Sequence, residues 1–357
     1  MTTSDRIKLL ANACQTDVGV ELLGPVTADM LTDWLAEELG NADVLDQFSP
    51  HGELMSRAYA PEVILHIVSG NTPHAALQSL LRGLLLGSFN IVKLPTSGLP
   101  EIINWIESLP HELRQLVECH NNLTEHQWQQ SNAVVAIGSD ETMAEIHGRL
   151  RPDQLFIPHG HKVSIGIVTD DFENAARLAA KDVSLYNQRG CLSPHAIYVS
   201  GDARRFAELL ASEMQKFNDT SPADPLSLSE AGAVVNLRET TRFLAANEPS
   251  TALWHSQDDL AWAVIFEENP ELKLSCLNRC VYVKSLPSEF SLSVLGEEAN
   301  HLSTIAIHPF TLDYAETLCS LPAHRICPLG KSQEPNLFWH HDGFAPLASL
   351  VKWKDLG

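Results

Sequence analysis

The sequence contains no apolar run of the ~18 residues that a membrane-crossing helix needs. Its best candidate, Ala75 to Gly87, is too short and carries Gln78 and Arg82. The first residues, MTTSDRIKLL, lack the long apolar stretch of a secretory signal, so a cytoplasmic protein is expected. Basic residues are scarce: 24 Lys and Arg stand against 45 Asp and Glu, a net charge of −21. Such a chain repels nucleic acid and anionic membrane surfaces. An anionic ligand would need a local cationic or backbone-amide site. There is no CxxC pair, no HExxH and no GxGxxG. The first two absences remove the common zinc patterns, and the third removes the usual dinucleotide fingerprint. Sixteen histidines are present, densest at His340-His341-Asp342. Neighbouring residues on a strand face opposite ways, so no metal site is expected there.

What remains is an ordinary globular composition, 44% hydrophobic over 357 residues, long enough for two domains. The first ~60 residues read as helical. Buried-strand runs follow at Val63–Val68, Asn90–Leu94 and Ala133–Ile137. Helices fill the gaps, at Ala75–Leu86, at Leu99–Leu109 and after Ser139. Gly87 is the expected stop of the Ala75–Leu86 helix. Strands at Val163–Val168 and Ala196–Val199 enclose a helix at Phe172–Val183. A helix at Asp202–Phe217 is followed by a surface loop, Asn218–Glu230. A last helix is expected at Thr311–Leu321, with an irregular tail from Arg325. Alternation of this kind predicts an α/β chain with parallel, doubly wound sheets.

Seven cysteines form an odd, scattered set, which a reducing compartment would keep as thiols. Cys191 stands out because Asn187-Gln188-Arg189-Gly190-Cys191-Leu192-Ser193 is a polar loop between a helix and a strand. Gly190 would let the backbone turn tightly, so that the next amide points into a cleft. A thiolate attacks a thioester readily, because thiol and thioester exchange at near-equal energy. On the residues alone, an inert buried thiol stays open as the alternative.

Four segments occur in one order: Ser69-Gly70-Asn71-Thr72-Pro73, Ile91-Val92-Lys93-Leu94-Pro95, Gly138-Ser139 and Gln188-Arg189-Gly190-Cys191. Downstream come His324-Arg325-Ile326-Cys327-Pro328-Leu329-Gly330, Trp339-His340-His341-Asp342-Gly343 and Leu350-Val351-Lys352-Trp353. Together, over roughly residues 60 to 357, these resemble the acyl-CoA reductase branch of the aldehyde dehydrogenase superfamily, the fatty acid reductase type of bacterial luminescence. That resemblance implies two doubly wound parallel-sheet domains with the active site between them. It places a nicotinamide-cofactor domain at 1–160, a catalytic domain at 161–325, and a segment at 326–357 returning to the cofactor domain or to a subunit interface.

By position, the resemblance makes Cys191 the nucleophile and Asn71 the oxyanion asparagine. Without it, Asn71 reads more readily as a turn residue. Lys93 would contact the adenosine ribose, where otherwise it is a solvated charge at a strand end. Thr96 and Ser97 are neutral where an acidic residue would hold a ribose diol, so NADPH is expected over NADH. Ser69, Gly70, Gly138 and Ser139 would lie near the cofactor, although Ser139 followed by Asp140 and Glu141 also reads as a plain helix cap. The water-activating glutamate of acid-forming relatives maps to Pro158, which cannot act as a base. The implied reaction is reduction of an acyl thioester, on coenzyme A or an acyl-carrier protein, to an aldehyde by a homo-oligomeric enzyme. Three alternatives stay open: a thiol-acylating dehydrogenase running the other way, an acyltransferase without hydride transfer, and a noncatalytic scaffold.

Overall fold

The computed structural model describes residues 1–71 and 73–357, so Thr72 of the first motif lies outside the described residues. The chain divides into two units, 1–161 with 336–357 and 162–335. The fifteen strands are β1 Ser49–His51, β2 Leu54–Tyr59, β3 Val63–Ile67, β4 Phe89–Lys93, β5 Val117–His120, β6 Ala133–Ile137, β7 Leu155–His159, β8 Val163–Val168, β9 Pro194–Val199, β10 Thr251–His255, β11 Ala263–Glu267, β12 Cys280–Ser285, β13 Leu302–His308, β14 Arg325–Pro328 and β15 Lys352–Leu356.

The first unit is built on a parallel sheet of order β5-β4-β3-β6-β7. Alternate residues of its strands point to opposite faces. Ile64, Val92 and Val135 pack with the helices Thr3–Cys14, Ala28–Leu39 and Pro73–Leu86. Leu65, Ile91 and Val134 pack with Trp128, Met143 and Ile146 on the other side. Both faces are covered, which is why these strands read as continuous apolar runs.

The lead-in is not helical throughout. β1 and β2 form a hairpin, and β15 pairs antiparallel with β2 to make a three-stranded sheet. These strands are short and mostly exposed, so their apolar pattern is faint. The tail is held to the same unit by Glu38, whose carboxylate accepts from the Leu347 and Ala348 amides at 2.7 and 2.9 Å.

The second unit has a seven-stranded sheet, β10-β11-β12-β9-β8-β13-β14, parallel except for β10 at the edge. Val168, Ile197, Val199 and Val264 pack against the helices Phe172–Ser184 and Ala203–Thr220. Ile165, Ile167, Tyr198 and Ile305 fill the opposite face. This unit extends to Pro335 rather than to the expected 325, because β14 pairs with β13. The expected surface loop keeps only its middle, since one helix runs on to Thr220 and Ser227 caps another at Leu228–Asn247. The last helix shortens to Leu312–Thr317.

Candidate functional site

Cys191 is exposed, whereas Gly190, Leu192 and Ser193 around it are buried. The loop owes this arrangement to three consecutive non-glycine residues in the left-handed region. Tyr186, Asn187 and Gln188 have φ of 52°, 51° and 61°. Gly190 is not among the positive-φ residues, so the tight turn assigned to it is made by its neighbours. Left-handed backbone costs an L-residue roughly 1–2 kcal/mol, so it must be held by surrounding contacts.

Those contacts are specific. Gln188 is fully buried. Its amide nitrogen donates to the Pro194 carbonyl at 2.9 Å, and its oxygen accepts from the Cys280 amide at 2.8 Å. Asn187 donates to the Asp224 carboxylate at 2.6 Å, and Arg189 pairs with Glu230 at 3.2 Å. The Ser164 hydroxyl donates to the carbonyl of Cys191 itself at 2.7 Å. The Ser193 amide donates to Gly190 at 3.0 Å, and Gln333 donates to the Ser193 hydroxyl.

Two other cysteines, Cys119 and Cys319, are also exposed. Cys119 lies on the edge strand β5, and Cys319 follows the helix Leu312–Thr317. Neither sits in such a clamped loop. Burial pushes the thiols of Cys14 and Cys327 up to about 12 and about 11, away from the reactive thiolate form.

In the first unit, the expected cofactor residues collect at the carboxyl ends of parallel strands. Ser69, Gly70 and Asn71 follow β3, Lys93 ends β4, and Gly138 and Ser139 follow β6. The strand order reverses between β3 and β6, where open α/β sheets bind their ligands. Asn71, Thr96 and Ser139 are exposed, and Lys93 is partly buried. Gly70 is required locally: a Cβ there would lie 2.8 Å from the Ser97 hydroxyl and 3.3 Å from Pro95. The loops after β3 and β4 therefore abut. Ser139 caps the helix Asp140–Arg149, with its hydroxyl 3.3 Å from the Thr142 amide. Gly138 donates to the His159 carbonyl at 3.1 Å. Pro158 occupies β7, the edge strand of the sheet, where a missing N–H is tolerated.

A buried cluster in this unit escapes sequence reasoning. The His159 ring nitrogen Nδ1 lies 2.8 Å from Asp342 Oδ2, although the two are 183 residues apart. His341 stacks on His159 at 3.9 Å with 15° between the rings, and Trp339 stacks on His341 at 4.7 Å. Ligand atoms of His159, His341 and Asp342 fall within 4.8 Å of one another. His340, by contrast, is exposed. The adjacent pair His341-Asp342 was the one available signal, and only the fold supplies its partner.

No helix among the described residues is long and apolar enough to cross a membrane.

The family model described as acyl-CoA reductase (LuxC) matches residues 20–353. A long-chain acyl-protein thioester reductase of Aliivibrio fischeri is 25% identical over 341 residues, covering 90% of this chain and 70% of that protein. The protein of the same description from Vibrio harveyi is 26% identical over 343 residues, with the same coverage. Among solved structures, the glyceraldehyde-3-phosphate dehydrogenase GapN of Methanocaldococcus jannaschii, complexed with NADP, aligns at a TM-score of 0.71 and 13% identity, over 100% of this chain and 90% of that one. The aldehyde dehydrogenase PutA of Anabaena variabilis aligns at 0.69 and 15%, over 99% and 88%. The structural likeness gives the fold, and the sequence match gives the family. The chain belongs to the acyl-CoA reductase (LuxC) family, aldehyde-forming thioester reductases, and is built on the aldehyde dehydrogenase fold.

Proposed function

We propose that this protein reduces an acyl thioester, carried on coenzyme A or an acyl-carrier protein, to an aldehyde with NADPH, through a thioacyl intermediate on Cys191. The observation that carries this reading is the exposed Cys191 thiol on a loop whose every neighbour is buried or tied.

The chemistry proceeds in two halves. The Cys191 thiolate attacks the acyl carbonyl, forming a carbon–sulfur bond and an oxyanion. The backbone amide of Cys191 and the side-chain amide of Asn71 are assigned as donors to that oxyanion, where one donor is worth about 2.7–4 kcal/mol in measured cases. Collapse expels the carrier thiolate, which takes up a proton. Covalent capture divides one hard step into two easier ones.

The switch-point rim of the first unit suits a dinucleotide. Its two strand-end loops abut at Gly70, and a lysine lies beside neutral residues at the end of β4. Lys93 would pair with a 2′-phosphate as a point charge, with Thr96 leaving room for it, while Ser69, Gly70, Gly138 and Ser139 border the cofactor. A reduced nicotinamide, when bound, would supply the hydride that the thioacyl carbon accepts. The same donors then hold the second oxyanion until it collapses, releasing the aldehyde and returning Cys191 as a thiolate. Pro158 cannot activate water, so hydrolysis of the thioacyl enzyme would be slow unless His159 or His161 acts as the base.

The test is NADPH consumption with acyl thioesters of graded chain length. Turnover by the native protein and none by Cys191→Ala is expected. Equal turnover by both removes the proposal.

A further inference from the structure

A second pair of thiols lies beside the Cys191 loop within the same unit. Cys276 is partly buried and Cys280 fully buried, and each thiol donates to a carbonyl of the turn between them, Cys276 to Leu277 at 3.8 Å and Cys280 to Asn278 at 3.7 Å. Between them Leu277, Asn278 and Arg279 have φ of 61°, 54° and 59°, the chain's second run of three left-handed non-glycine residues. The Cys280 amide closes this turn onto the Leu277 carbonyl at 3.1 Å. One helical turn separates the Cα atoms of residues i and i+4 by about 6 Å, whatever its hand. That lies inside the roughly 4.4–6.8 Å range that a disulfide spans.

We infer that Cys276 and Cys280 are an oxidisable dithiol, closed to a disulfide by hydrogen peroxide, and that closure suppresses the reactivity of Cys191. The step balances. The Cys276 thiolate attacks one peroxide oxygen, giving a sulfenic acid and releasing hydroxide. The Cys280 sulfur then displaces the sulfenic oxygen as water, so two thiols are oxidised while one peroxide is reduced to two waters. The neighbouring Cys280 and the Arg238 guanidinium hold the Cys276 thiol below its ordinary range, while Cys276 and burial push Cys280 up. Cys276, the less buried of the two, is therefore the sulfur that meets the oxidant.

The coupling is physical. Arg279 is anchored to Asn218 at 3.1 Å and to the Ser221 carbonyl at 2.9 Å, and Cys280 begins β12, so Cys276 is the end that must move. Ser275 moves with it, and the Ser275 amide and hydroxyl both contact His195 Nδ1 at 3.1 Å. On the other side the Cys280 amide is held by Gln188. His195 and Gln188 bracket Cys191 in sequence.

The test treats the intact protein with hydrogen peroxide and then measures the rate at which iodoacetamide alkylates Cys191, by peptide mass spectrometry. The same samples are denatured, and Cys276 and Cys280 are counted with a maleimide. Oxidised protein should show a 276–280 segment lighter by two hydrogens and blind to maleimide. Alkylation of Cys191 should fall by about tenfold or more and recover with dithiothreitol. Cys276→Ser, which alters the less buried thiol, should keep its Cys191 rate through the same treatment. Cys191→Ala should still form the disulfide, which separates this inference from the role given to Cys191. Thiols at 276 and 280 that stay open to maleimide overturn the proposal. So does a disulfide that leaves the Cys191 rate unchanged, or an equal loss of rate in Cys276→Ser.

Discussion

Gln188 and Cys280 are joined by one hydrogen bond, 2.8 Å from the Cys280 amide to the buried side-chain oxygen of Gln188. The same side chain donates to Pro194, so a single residue sets the exit of the Cys191 loop into β9. Gln188→Ala leaves the Cys280 amide and the Pro194 carbonyl without that partner. A buried group stripped of its partner costs about 1–3 kcal/mol. We expect a Tm lower by several degrees, checked by calorimetry. Alkylation of Cys191 should slow as the left-handed segment loses its anchor.

Release of the acyl group should depend on reduced cofactor. With acyl-CoA and no nucleotide, one acyl group per chain should accumulate on Cys191 and persist, because the proposed reading gives Pro158 the place of the water-activating base. Intact-protein mass spectrometry follows this directly. Rapid return to unmodified protein, with fatty acid in solution, would show that water reaches the thioacyl carbon after all.

Cofactor preference should rest on Lys93. Replacing it with Met would remove the charge-assisted contact proposed for the 2′-phosphate, an interaction of a kind worth about 1.5–3 kcal/mol. KM for NADPH should rise roughly tenfold to a hundredfold, while KM for NADH changes little. Thr96→Glu should tilt preference the same way, by setting a carboxylate against the 2′-phosphate. Steady-state kinetics with both nucleotides decides it, and equal effects on the two would remove Lys93 from the phosphate site.

Acid should weaken the first unit before it touches the chemistry. His66 on β3 is enclosed, with Nδ1 2.8 Å from the Ser79 hydroxyl and Nε2 2.9 Å from Asn90 Oδ1. Burial pushes its pKa down to about 4. The unfolded chain binds the proton near 6.5, so the neutral ring stabilises the fold fully above that pH. The contribution drains away as pH falls from 6.5 through 4, a loss of about 3 kcal/mol. Urea melts between pH 7 and pH 4 should show that slope, and His66→Gln should flatten it.

The sequence carries the two main sheets because their strands are buried on both faces. Val63–Ile67, Ala133–Ile137 and Val163–Val168 stand out as unbroken apolar runs for that reason. β15, Lys352–Leu356, is exposed at every residue and carries no such signature. The same contrast runs through the site. Cys191 and the strand-end residues sit in short motifs that are legible through their shared order and spacing, not one at a time. The His159–Asp342 contact spans 183 residues, and the Cys276–Cys280 turn depends on left-handed backbone at Leu277, Asn278 and Arg279, which their side chains do not announce. Gly190 drew attention as the flexible residue, yet the strain is carried by Tyr186, Asn187 and Gln188.

The central claim is that one sulfur takes the acyl group. It is met most directly by incubating the native protein and Cys191→Ala with a long-chain acyl-CoA and digesting each for mass spectrometry. The account predicts a single acyl adduct, on the peptide containing Cys191, and none in the variant. An adduct on Cys119 or Cys319, or one that survives in Cys191→Ala, would contradict it.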